Sequence, residues 1–179
     1  METAVVSQLI DQYGMDVMRF CRSLTRCACD AEDLYQQTFL KLLQLRVKVE
    51  REQNPRAFLF SIASGIWKNE CRKWGRRTDI APSSSLEELL EQPPQEPQDG
   101  GDLQQQVLDR MCQQELARAV QRLEEKYRSP VILMYRFGMG IDEIARIERV
   151  PKGTIKSRLS RARKQLRKEM EERGYAQEF

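Results

Sequence analysis

Residues 141–164 constrain the fold more than any other part of the chain, because they read as a short helix, a tight turn and a long second helix. In order, the three parts are IDEIARI, ERVP and KGTIKSRLSRARK. Pro151 suits the start of the second helix, where its missing N–H is not needed. Two helices joined by so short a turn form a helix-turn-helix. Since the second helix is apolar on one stripe and cationic elsewhere, it is typical of a helix that lies in the major groove of duplex DNA.

The second helix divides into a predicted buried face and a predicted DNA-binding face. Apolar residues follow one another at steps of four, three and four, the spacing of a buried helical stripe. They are Ile155, Leu159, Ala162 and Leu166. Cations and hydroxyls elsewhere on the helix can contact bases or position the helix on phosphates. The candidate contacts are Lys152, Thr154, Lys156, Ser157, Arg158, Ser160, Arg161 and Lys164. The alternative is a basic face exposed only to solvent, which Pro151 and Gly153-Thr154 at the helix start disfavour.

Composition places the chain among helical proteins without a membrane span. Hydrophobic residues make up 40% and charged residues 32% of its 179 residues. No strand pattern or internal repeat is present, so we predict an all-α fold of two small helical domains. No run approaches the roughly eighteen apolar residues of a membrane span, and the N-terminal residues lack the basic segment of a signal peptide. We therefore expect a cytoplasmic protein without membrane insertion.

Charge and proline content divide the chain into three parts. Residues 78–104 hold seven acidic residues and no lysine or arginine, together with four prolines, a run of three serines and a Gly-Gly pair. Such a segment buries too little apolar surface to fold, so we predict a flexible acidic linker in which only residues 86–90 form a helical turn. The predicted domains are residues 1–77 and 105–179. Two basic blocks on either side of the linker indicate two separate contacts with nucleic acid.

Helical periodicity predicts the elements of the first domain. Apolar stripes at three- and four-residue steps indicate a first helix. They comprise Val6, Leu9, Ile10, Tyr13, Val17, Met18, Cys21 and Leu24. Asp30 is the predicted N-cap of a second helix, and a polar segment at 48–54 separates it from a third helix that Pro55 opens. The second helix is expected to carry Leu34, Phe39, Leu42, Leu43 and Leu45, and the third to bury Phe58, Leu59, Ile62, Ala63, Ile66 and Trp67.

Similar patterns predict the first helices of the second domain. One stripe consists of Val107, Leu108, Met111, Leu116, Val120 and Leu123. Pro130 is expected to open a short apolar helix, and Gly138-Met139-Gly140 to end it through glycine's conformational freedom. Gly140 is the predicted N-cap of the first helix of the helix-turn-helix.

The first domain offers two further candidate surfaces. Aromatic residues alternate with cations along residues 58–77, which suits single-stranded bases, although such aromatics can equally belong to the core. The aromatics are Phe58, Phe60, Trp67 and Trp74, and the cations are Lys68, Arg72, Lys73, Arg76 and Arg77. An acidic helix face with Asp30, Glu32 and Asp33 is either exposed to solvent or docks on a basic partner.

Residue types argue against an enzyme and against a metal site. The chain has no histidine, which removes the commonest general base. Its five cysteines lack the CxxC spacing of zinc sites, so we expect reduced thiols, with a redox or metal role as the alternative. Glu32 and Asp33 could bind a metal, but adjacent carboxylates on a helix point in different directions. We therefore expect no catalytic residue, metal or cofactor.

Three motifs together closely resemble the extracytoplasmic-function (ECF) sigma factors of bacteria. They are DAEDLYQQTF at 30–39, PRAFLFSIA at 55–63 and GTIKSRLSRAR at 153–163. The resemblance covers nearly the whole chain apart from the linker. It departs from the family pattern at Phe58, Gly65 and Asn69 in the −10 helix, and at Arg149, where the family often has glycine.

The resemblance implies three partners: core RNA polymerase, promoter DNA and an anti-sigma factor. Docking on polymerase would use Asp30, Glu32, Asp33, Gln36, Gln37 and Phe39. The −10 element would be held, as a melted strand, by Asn54, Trp67, Lys68, Arg72, Lys73 and Arg76. The −35 element would be read as duplex by the helix-turn-helix residues named above. The alternative is a stand-alone helix-turn-helix regulator, which leaves the acidic and the aromatic-basic helices without a role.

Overall fold

The computed structural model of the chain describes residues 3–45, 54–78 and 103–175, and within these ranges it contains seven helices and no strand. The prediction of an all-α fold is confirmed there. The helices are α1 Thr3–Leu24, α2 Ala28–Gln44, α3 Pro55–Thr78, α4 Leu103–Arg122, α5 Glu125–Tyr135, α6 Ile141–Glu148 and α7 Lys152–Glu172. The predicted linker between Thr78 and Leu103 and most of the polar segment 48–54 lie outside the described residues.

Helices α1–α3 pack around aromatic and aliphatic side chains of the first domain. Phe20 and Phe60 are fully buried and stack with ring centroids 4.6 Å apart. The predicted inward residues Val17, Leu24 and Leu59 are also fully buried. Burial of a large apolar side chain stabilises a fold by roughly 1.5–3 kcal/mol, so this cluster holds the three helices together.

The start of α2 differs from the prediction that Asp30 is its N-cap. The helix begins at Ala28, and Cys27 is the N-cap, with extended backbone at φ −127° and ψ 159°. The Cys27 Sγ accepts a hydrogen bond from the Asp30 N–H at 3.3 Å. Asp30 instead lies in the first turn, where its carboxylate interacts favourably with the helix dipole. Aspartate is the commoner cap in sequences, which is why the pattern favoured it over the thiol.

The C-terminal end of α2 also differs in burial from the predicted stripe. Leu34, Phe39 and Leu42 are buried, whereas Leu43 and Leu45 are exposed. Leu43 follows Leu42 directly, and adjacent residues on a helix face different directions. Leu43 is the penultimate residue of the helix, and Leu45 is its C-cap.

In the second domain, Pro130 does not open a helix, as predicted, but lies inside α5. The helix begins five residues earlier, at Glu125. Pro130 is fully buried, so packing offsets the loss of one backbone hydrogen bond. At the other end the prediction is confirmed: Gly138 adopts a left-handed φ of +64°, and Gly140 is the N-cap of α6. The Gly140 N–H donates to Glu143 Oε2 at 3.1 Å.

Helix α4 packs on the C-terminal part of α7 through Cys112, Ala119 and Met170, which are buried together. The predicted stripe of α4 is only partly confirmed. Leu123, just beyond the helix, is buried and Val120 is partly buried, but Met111 is 50% exposed. Cys112, one residue further along, takes the buried position in that turn.

The two groups of helices share one continuous apolar core. Phe137, after α5, packs edge-on against Phe20 and Phe60 of the first domain, with ring centroids 5.7 and 4.9 Å apart. Arg128 is buried between the groups, where its Nη1 donates to the Leu24 carbonyl at 2.8 Å and its Nη2 to the Leu123 carbonyl at 3.1 Å. A buried guanidinium must have hydrogen-bond acceptors, and here they come from both domains.

Candidate nucleic-acid interface

The turn between α6 and α7 is tight because Arg149 adopts a left-handed conformation. Its φ is +55° and its ψ is +46°. This geometry lets the Arg149 N–H donate to the Arg146 carbonyl at 3.3 Å and the Val150 N–H to the Ala145 carbonyl at 3.1 Å. Pro151 is the N-cap of α7, and its carbonyl accepts from the Thr154 N–H at 2.9 Å. The predicted helix-turn-helix is therefore present, and its turn uses the conformation for which glycine is the usual residue.

Helix α7 has the predicted buried stripe. Ile155, Leu159 and Ala162 are buried, and Leu166 is partly buried. Six of the eight candidate contacts are exposed side chains outside this stripe. These are Lys152, Lys156, Ser157, Ser160, Arg161 and Lys164. These cations and hydroxyls have the chemistry that base edges and phosphates require.

The remaining two candidates of α7 are half-buried. Thr154 lies in the first turn of the helix. Arg158 turns toward the interior, and its Nη1 is 3.7 Å from the Glu148 carboxylate. At the helix start, Lys152 Nζ lies 2.7 Å from Asp142 Oδ2, and this contact lowers the pKa of Asp142. In this arrangement, Lys152 and Arg158 therefore each contact an acidic residue of the same domain.

Helix α3 places three predicted strand-binding residues in the boundary with the second domain. Trp67 is only 4% exposed, and its Nε1 donates to Glu125 Oε2 at 2.9 Å. Lys68 Nζ lies 2.5 Å from Glu148 Oε2. Asn54 caps α3 by accepting from the Ala57 N–H at 3.0 Å, and its Nδ2 donates to Glu143 Oε1 at 3.0 Å.

The outer part of α3 is more accessible. Arg72 and Lys73 are exposed, and Lys73 Nζ lies 2.6 Å from Glu70 Oε1. Trp74 is 39% exposed and stands edge-on to Trp67, with ring centroids 5.3 Å apart. The side chain of Arg76 lies outside the described residues. Phe60, expected among the surface aromatics, belongs to the core instead.

Glu125, which lies in the boundary between the domains, has a raised pKa. Burial raises its pKa to about 7, and the nearby Glu148 carboxylate adds to the increase. Arg128, Lys68 and the hydrogen bond from Trp67 lower it by less. Sequence patterns gave no signal for this site, because Glu125 lies among other charged residues in the segment EEKYR.

The acidic surface of α2 is partly as predicted. Glu32, Asp33, Gln36 and Gln37 are exposed, and Asp30 is half-buried. Phe39 is buried and packs edge-on against Tyr35, with ring centroids 5.0 Å apart. It therefore belongs to the core side of α2 and not to its exposed surface. Next to these polar residues, Leu40 is 57% exposed and Leu43 is 42% exposed. Exposed leucines beside an acidic face were missed by sequence reasoning, which placed Leu43 among the inward residues and gave Leu40 no role.

All five cysteines are free thiols. Burial raises the pKa of Cys21 to about 12 and that of Cys71 to about 11, so neither is a reactive thiolate at neutral pH. Within the described ranges, no three acidic, cysteine or histidine side chains cluster in a way that could hold a metal ion.

Comparisons with known proteins point to one family. Sigma-70 region 2 matches residues 9–77 and sigma-70 region 4 matches residues 113–166. The ECF RNA polymerase sigma factor EcfG of Rhodopseudomonas palustris is 30% identical, over 82% of this chain and 75% of its own length. The ECF RNA polymerase sigma factor SigL of Mycobacterium tuberculosis is 29% identical, over 97% of this chain and 93% of its own.

A solved structure is also similar to this chain. The sigma factor RpoE of Bartonella quintana, solved in complex with the anti-sigma factor NepR, has a TM-score of 0.71 and 28% identity, over 92% of this chain and 96% of that one. None of the helices in the described ranges is long and apolar enough to cross a membrane.

Proposed function

We propose that this chain, which belongs to the extracytoplasmic-function family of RNA polymerase sigma factors, reads the −35 element as duplex through α7 and the −10 element as a melted strand through α3. As a member of that family, it is an alternative sigma factor that directs core RNA polymerase to promoters. The observation that carries the proposal is the α7 surface: six cations and hydroxyls are exposed outside a buried apolar stripe, directly after a helix-turn-helix turn.

For the −35 element, Lys156 and Arg161 are the residues we assign to base edges. Both are exposed on α7, and long cationic side chains can donate to guanine O6 and N7 in the major groove. Ser157 and Ser160 are short, so the helix can approach the bases closely. Lys152, Thr154, Arg158 and Lys164 are assigned to the flanking backbone, where contacts position the helix without specifying sequence.

For the −10 element, we assign Trp67 as the stacking surface and Lys68, Arg72, Lys73 and Arg76 as phosphate contacts. A strand of unpaired bases needs an aromatic platform beside a cationic path. Trp67 and Trp74 stand edge-on on α3, and Arg72 and Lys73 are exposed on the same helix. Asn54, at the start of α3, would contact the strand from the preceding segment.

For polymerase, we assign the exposed face of α2 formed by Glu32, Asp33, Gln36 and Gln37. Asp30 contributes negative charge at the start of the helix. Phe39 is buried in the core of the first domain and so fixes the position of α2. Leu40 and Leu43 would add an apolar contact beside the acidic one, and protein interfaces commonly combine an apolar centre with a polar rim.

The remaining assignments follow from family membership. We propose domains at residues 1–77 and 105–179 joined by an acidic linker at 78–104, a cytoplasmic location, and no catalytic activity of the chain's own. An anti-sigma factor is also proposed as a partner, because the RpoE structure it resembles was solved with one.

Run-off transcription tests this proposal. Purified bacterial core RNA polymerase is combined with the chain and a library of promoter fragments, and transcripts are sequenced. Initiation that depends on the chain, with enriched −35 and −10 sequences, is the expected result. Binding to duplex DNA without any polymerase-dependent initiation would instead favour a stand-alone helix-turn-helix regulator.

A further inference from the structure

Two of the five cysteines lie at the start of α2, separated by a single residue. Cys27 is half-buried and is the N-cap of the helix, whereas Cys29 is exposed in its first turn. Cys21 and Cys112 are buried, and burial raises the pKa of Cys71 to about 11. The two thiols at the start of α2, which we call the Cys27–Cys29 pair, are therefore the best placed of the five to react with a dissolved oxidant.

The Cys27 side chain has a structural role, because it caps the helix. Its Sγ accepts a hydrogen bond at 3.3 Å from the Asp30 N–H, a donor that has no partner within the helix itself. The Cys27 carbonyl accepts from Thr25 Oγ1 at 3.3 Å and from the Ala31 N–H at 3.3 Å. The backbone of the cap is therefore fixed from both sides, and the thiol is held over the first turn.

Cysteine is a weak choice for a cap that serves stability alone. Sulfur is a weak hydrogen-bond acceptor, and helices are usually capped by serine, threonine, aspartate or asparagine. A thiol differs from these side chains in one chemical respect, which is that it can be oxidised and then reduced again. Cys27 therefore gives the start of α2 a property that a serine in the same place would not.

The conformation of the cap brings the pair within reach of a disulfide. Two side chains two residues apart inside a helix point roughly 200° apart and cannot meet. Cys27 lies outside the helix, with extended backbone at φ −127° and ψ 159°, and its side chain folds back over the first turn. The Cα atoms of residues two apart lie about 5.5–7 Å from each other, which overlaps the range of about 4.4–6.8 Å found in disulfides.

We propose that the Cys27–Cys29 pair is a redox-sensitive cap, in which a disulfide replaces the hydrogen bond from Asp30 and loosens the start of α2. The sulfur of Cys27, once bonded to Cys29, points along the new bond and no longer accepts from the Asp30 N–H. The effect on polymerase rests on the proposed assignment of α2 as the docking helix, whereas the redox pair itself does not.

The disulfide forms in two steps, with hydrogen peroxide as the oxidant. Burial raises the pKa of the Cys27 thiol, so Cys27 stays protonated while it caps the helix, and the exposed Cys29 reacts first. The Cys29 sulfur attacks one peroxide oxygen and loses two electrons to it; the O–O bond breaks, a sulfenic acid forms and water leaves. The Cys27 sulfur then attacks the sulfenic sulfur, the S–O bond breaks, and the thiol proton leaves with the hydroxyl group as a second water. A dithiol such as dithiothreitol reverses the reaction by thiol–disulfide exchange.

The turn that this cap supports carries part of the proposed docking face. Asp30 lies in the first turn of α2, and Glu32 and Asp33 follow it closely. A helix end that loses its cap frays, so the side chains of that turn lose their fixed positions. The oxidised chain should therefore bind core polymerase less tightly than the reduced chain.

The first measurement identifies the disulfide. The full chain is treated with increasing hydrogen peroxide, the remaining thiols are alkylated under denaturing conditions, and the protein is cut with trypsin. The Cys27–Cys29 pair falls within one tryptic peptide, residues 27–41, and each of the other three cysteines falls in a different one. The expected product is the 27–41 peptide without alkyl label and lacking two hydrogen atoms, formed while the other cysteines still take up the label.

Two further readouts compare the reduced chain with the oxidised chain after the peroxide has been removed. Amide hydrogen exchange should become faster at Asp30 and Ala31, the residues whose N–H groups bond to Cys27. The Kd for purified bacterial core RNA polymerase should rise about fivefold, a factor that corresponds to the loss of one helix cap. Dithiothreitol should restore both values. The Kd for a mixed-sequence duplex should stay within about twofold, because α7 is a separate site.

Serine variants are the matched controls. Cys29→Ser keeps the cap and removes the disulfide partner, and Cys27→Ser replaces the thiol cap with a hydroxyl cap that cannot be oxidised in this way. Both variants should bind polymerase as the reduced chain does, before and after peroxide treatment.

Three results would overturn the proposal. One is peroxide treatment that leaves both thiols free, or that oxidises them separately to sulfinic acids. Another is a disulfide between Cys27 and Cys29 that changes neither the exchange at Asp30 nor the Kd for polymerase. The third is an equal loss of polymerase binding in Cys29→Ser, which would assign the sensitivity to another cysteine.

Failure of the polymerase assignment is recognised separately. Asp33→Lys reverses a charge on the proposed docking face and leaves both cysteines in place. The reduced Asp33→Lys chain may not bind polymerase if α2 is the docking helix. If it does bind, while the unaltered chain forms the disulfide and exchanges faster at Asp30, the redox-sensitive cap is supported and the docking role of α2 is refuted.

Discussion

Lys68 and Glu148 are 80 residues apart in the chain, and the Lys68 ammonium lies 2.5 Å from the Glu148 carboxylate in the boundary between the two domains. Lys68 keeps 23% of its side-chain surface exposed, whereas Glu148 keeps none. An ion pair with one fully buried partner is stable only while the pairing lasts, since the uncompensated charge is costly.

Glu148→Ala should lower the free energy of unfolding by about 3 kcal/mol, because Ser64, Ser129 and Lys68 all lose an acceptor in a buried site. Urea denaturation followed by circular dichroism measures the change. Glu172→Ala is the matched control: Glu172 is 65% exposed and lies 3.7 Å from Lys168, so its loss should cost less than about 0.5 kcal/mol. Equal effects of the two substitutions would contradict the role given to burial.

Arg149→Gly should stabilise the chain by about 1 kcal/mol, because a residue with a side chain is strained at a φ of +55° and glycine is not. The melting temperature by circular dichroism reports the change. Arg146→Gly is the control within α6, where glycine replaces a helical residue and should cost about 1 kcal/mol. A fall in stability for Arg149→Gly would show that its side chain makes contacts that outweigh the strain.

Lys156→Ala and Arg161→Ala should each weaken binding at the cognate −35 element by about 1–3 kcal/mol and relax base preference there. Transcription from promoters altered at single −35 positions measures both effects. Lys168→Ala serves as the control, since Lys168 is 78% exposed on the same helix but outside the proposed surface. Unchanged transcription for both α7 variants would refute the assignment of the recognition surface.

Asp33→Lys should abolish binding to core RNA polymerase while leaving the fold intact, since it reverses charge at the centre of the exposed α2 face. A pull-down with purified polymerase, together with a circular dichroism spectrum, is sufficient. Asp11→Lys makes the same change at an exposed position of α1 and should retain binding. Loss of binding in both would indicate a general electrostatic effect instead of a docking face.

Stability should fall as the pH rises from about 5 to about 8. The pKa of Glu125 is raised to about 7 from its ordinary value near 4.5, so the folded state binds its proton more tightly than the unfolded state does. This contribution is fully present below the unfolded pKa and is lost as pH rises through the folded one, by up to about 3 kcal/mol.

Urea titrations at several pH values test this expectation. Glu125→Gln should flatten the profile, and the chain contains no histidine to titrate in the same window. The groups that face Glu125 are Trp67, Lys68 and Cys71 of α3, Arg128 of α5 and Glu148 of α6. A slope that survives the substitution would assign the pH dependence to another group.

The elements of the fold that depend on local pattern were predictable from the sequence. The buried stripe of α7 and the glycine turn before α6 follow from periodicity and backbone preference, and the structure confirms them. Local rules failed where packing decided the outcome. Pro130 tolerates a position inside α5 because it is fully buried, and Phe60 enters the core because Phe20 lies opposite it.

The contacts between the domains could not be predicted from the sequence. Asn54 and Glu143 are 89 residues apart, and no local period relates them. Glu125 and Glu148 lie in charged segments that read as solvent-exposed, so the partial burial of Glu125 and the full burial of Glu148 become evident only when α3 is placed against α5 and α6. The residues assigned to polymerase and to DNA came from resemblance to a family and not from packing.

Arg128 also affects the end of α1. Its guanidinium donates to the carbonyl of Leu24, the last residue of α1, which has no partner within its own helix. The C-terminus of a first-domain helix is therefore capped by a side chain of the second domain. Separation of the domains should leave the final turn of α1 to fray, and faster amide hydrogen exchange in that turn would then report the separation directly.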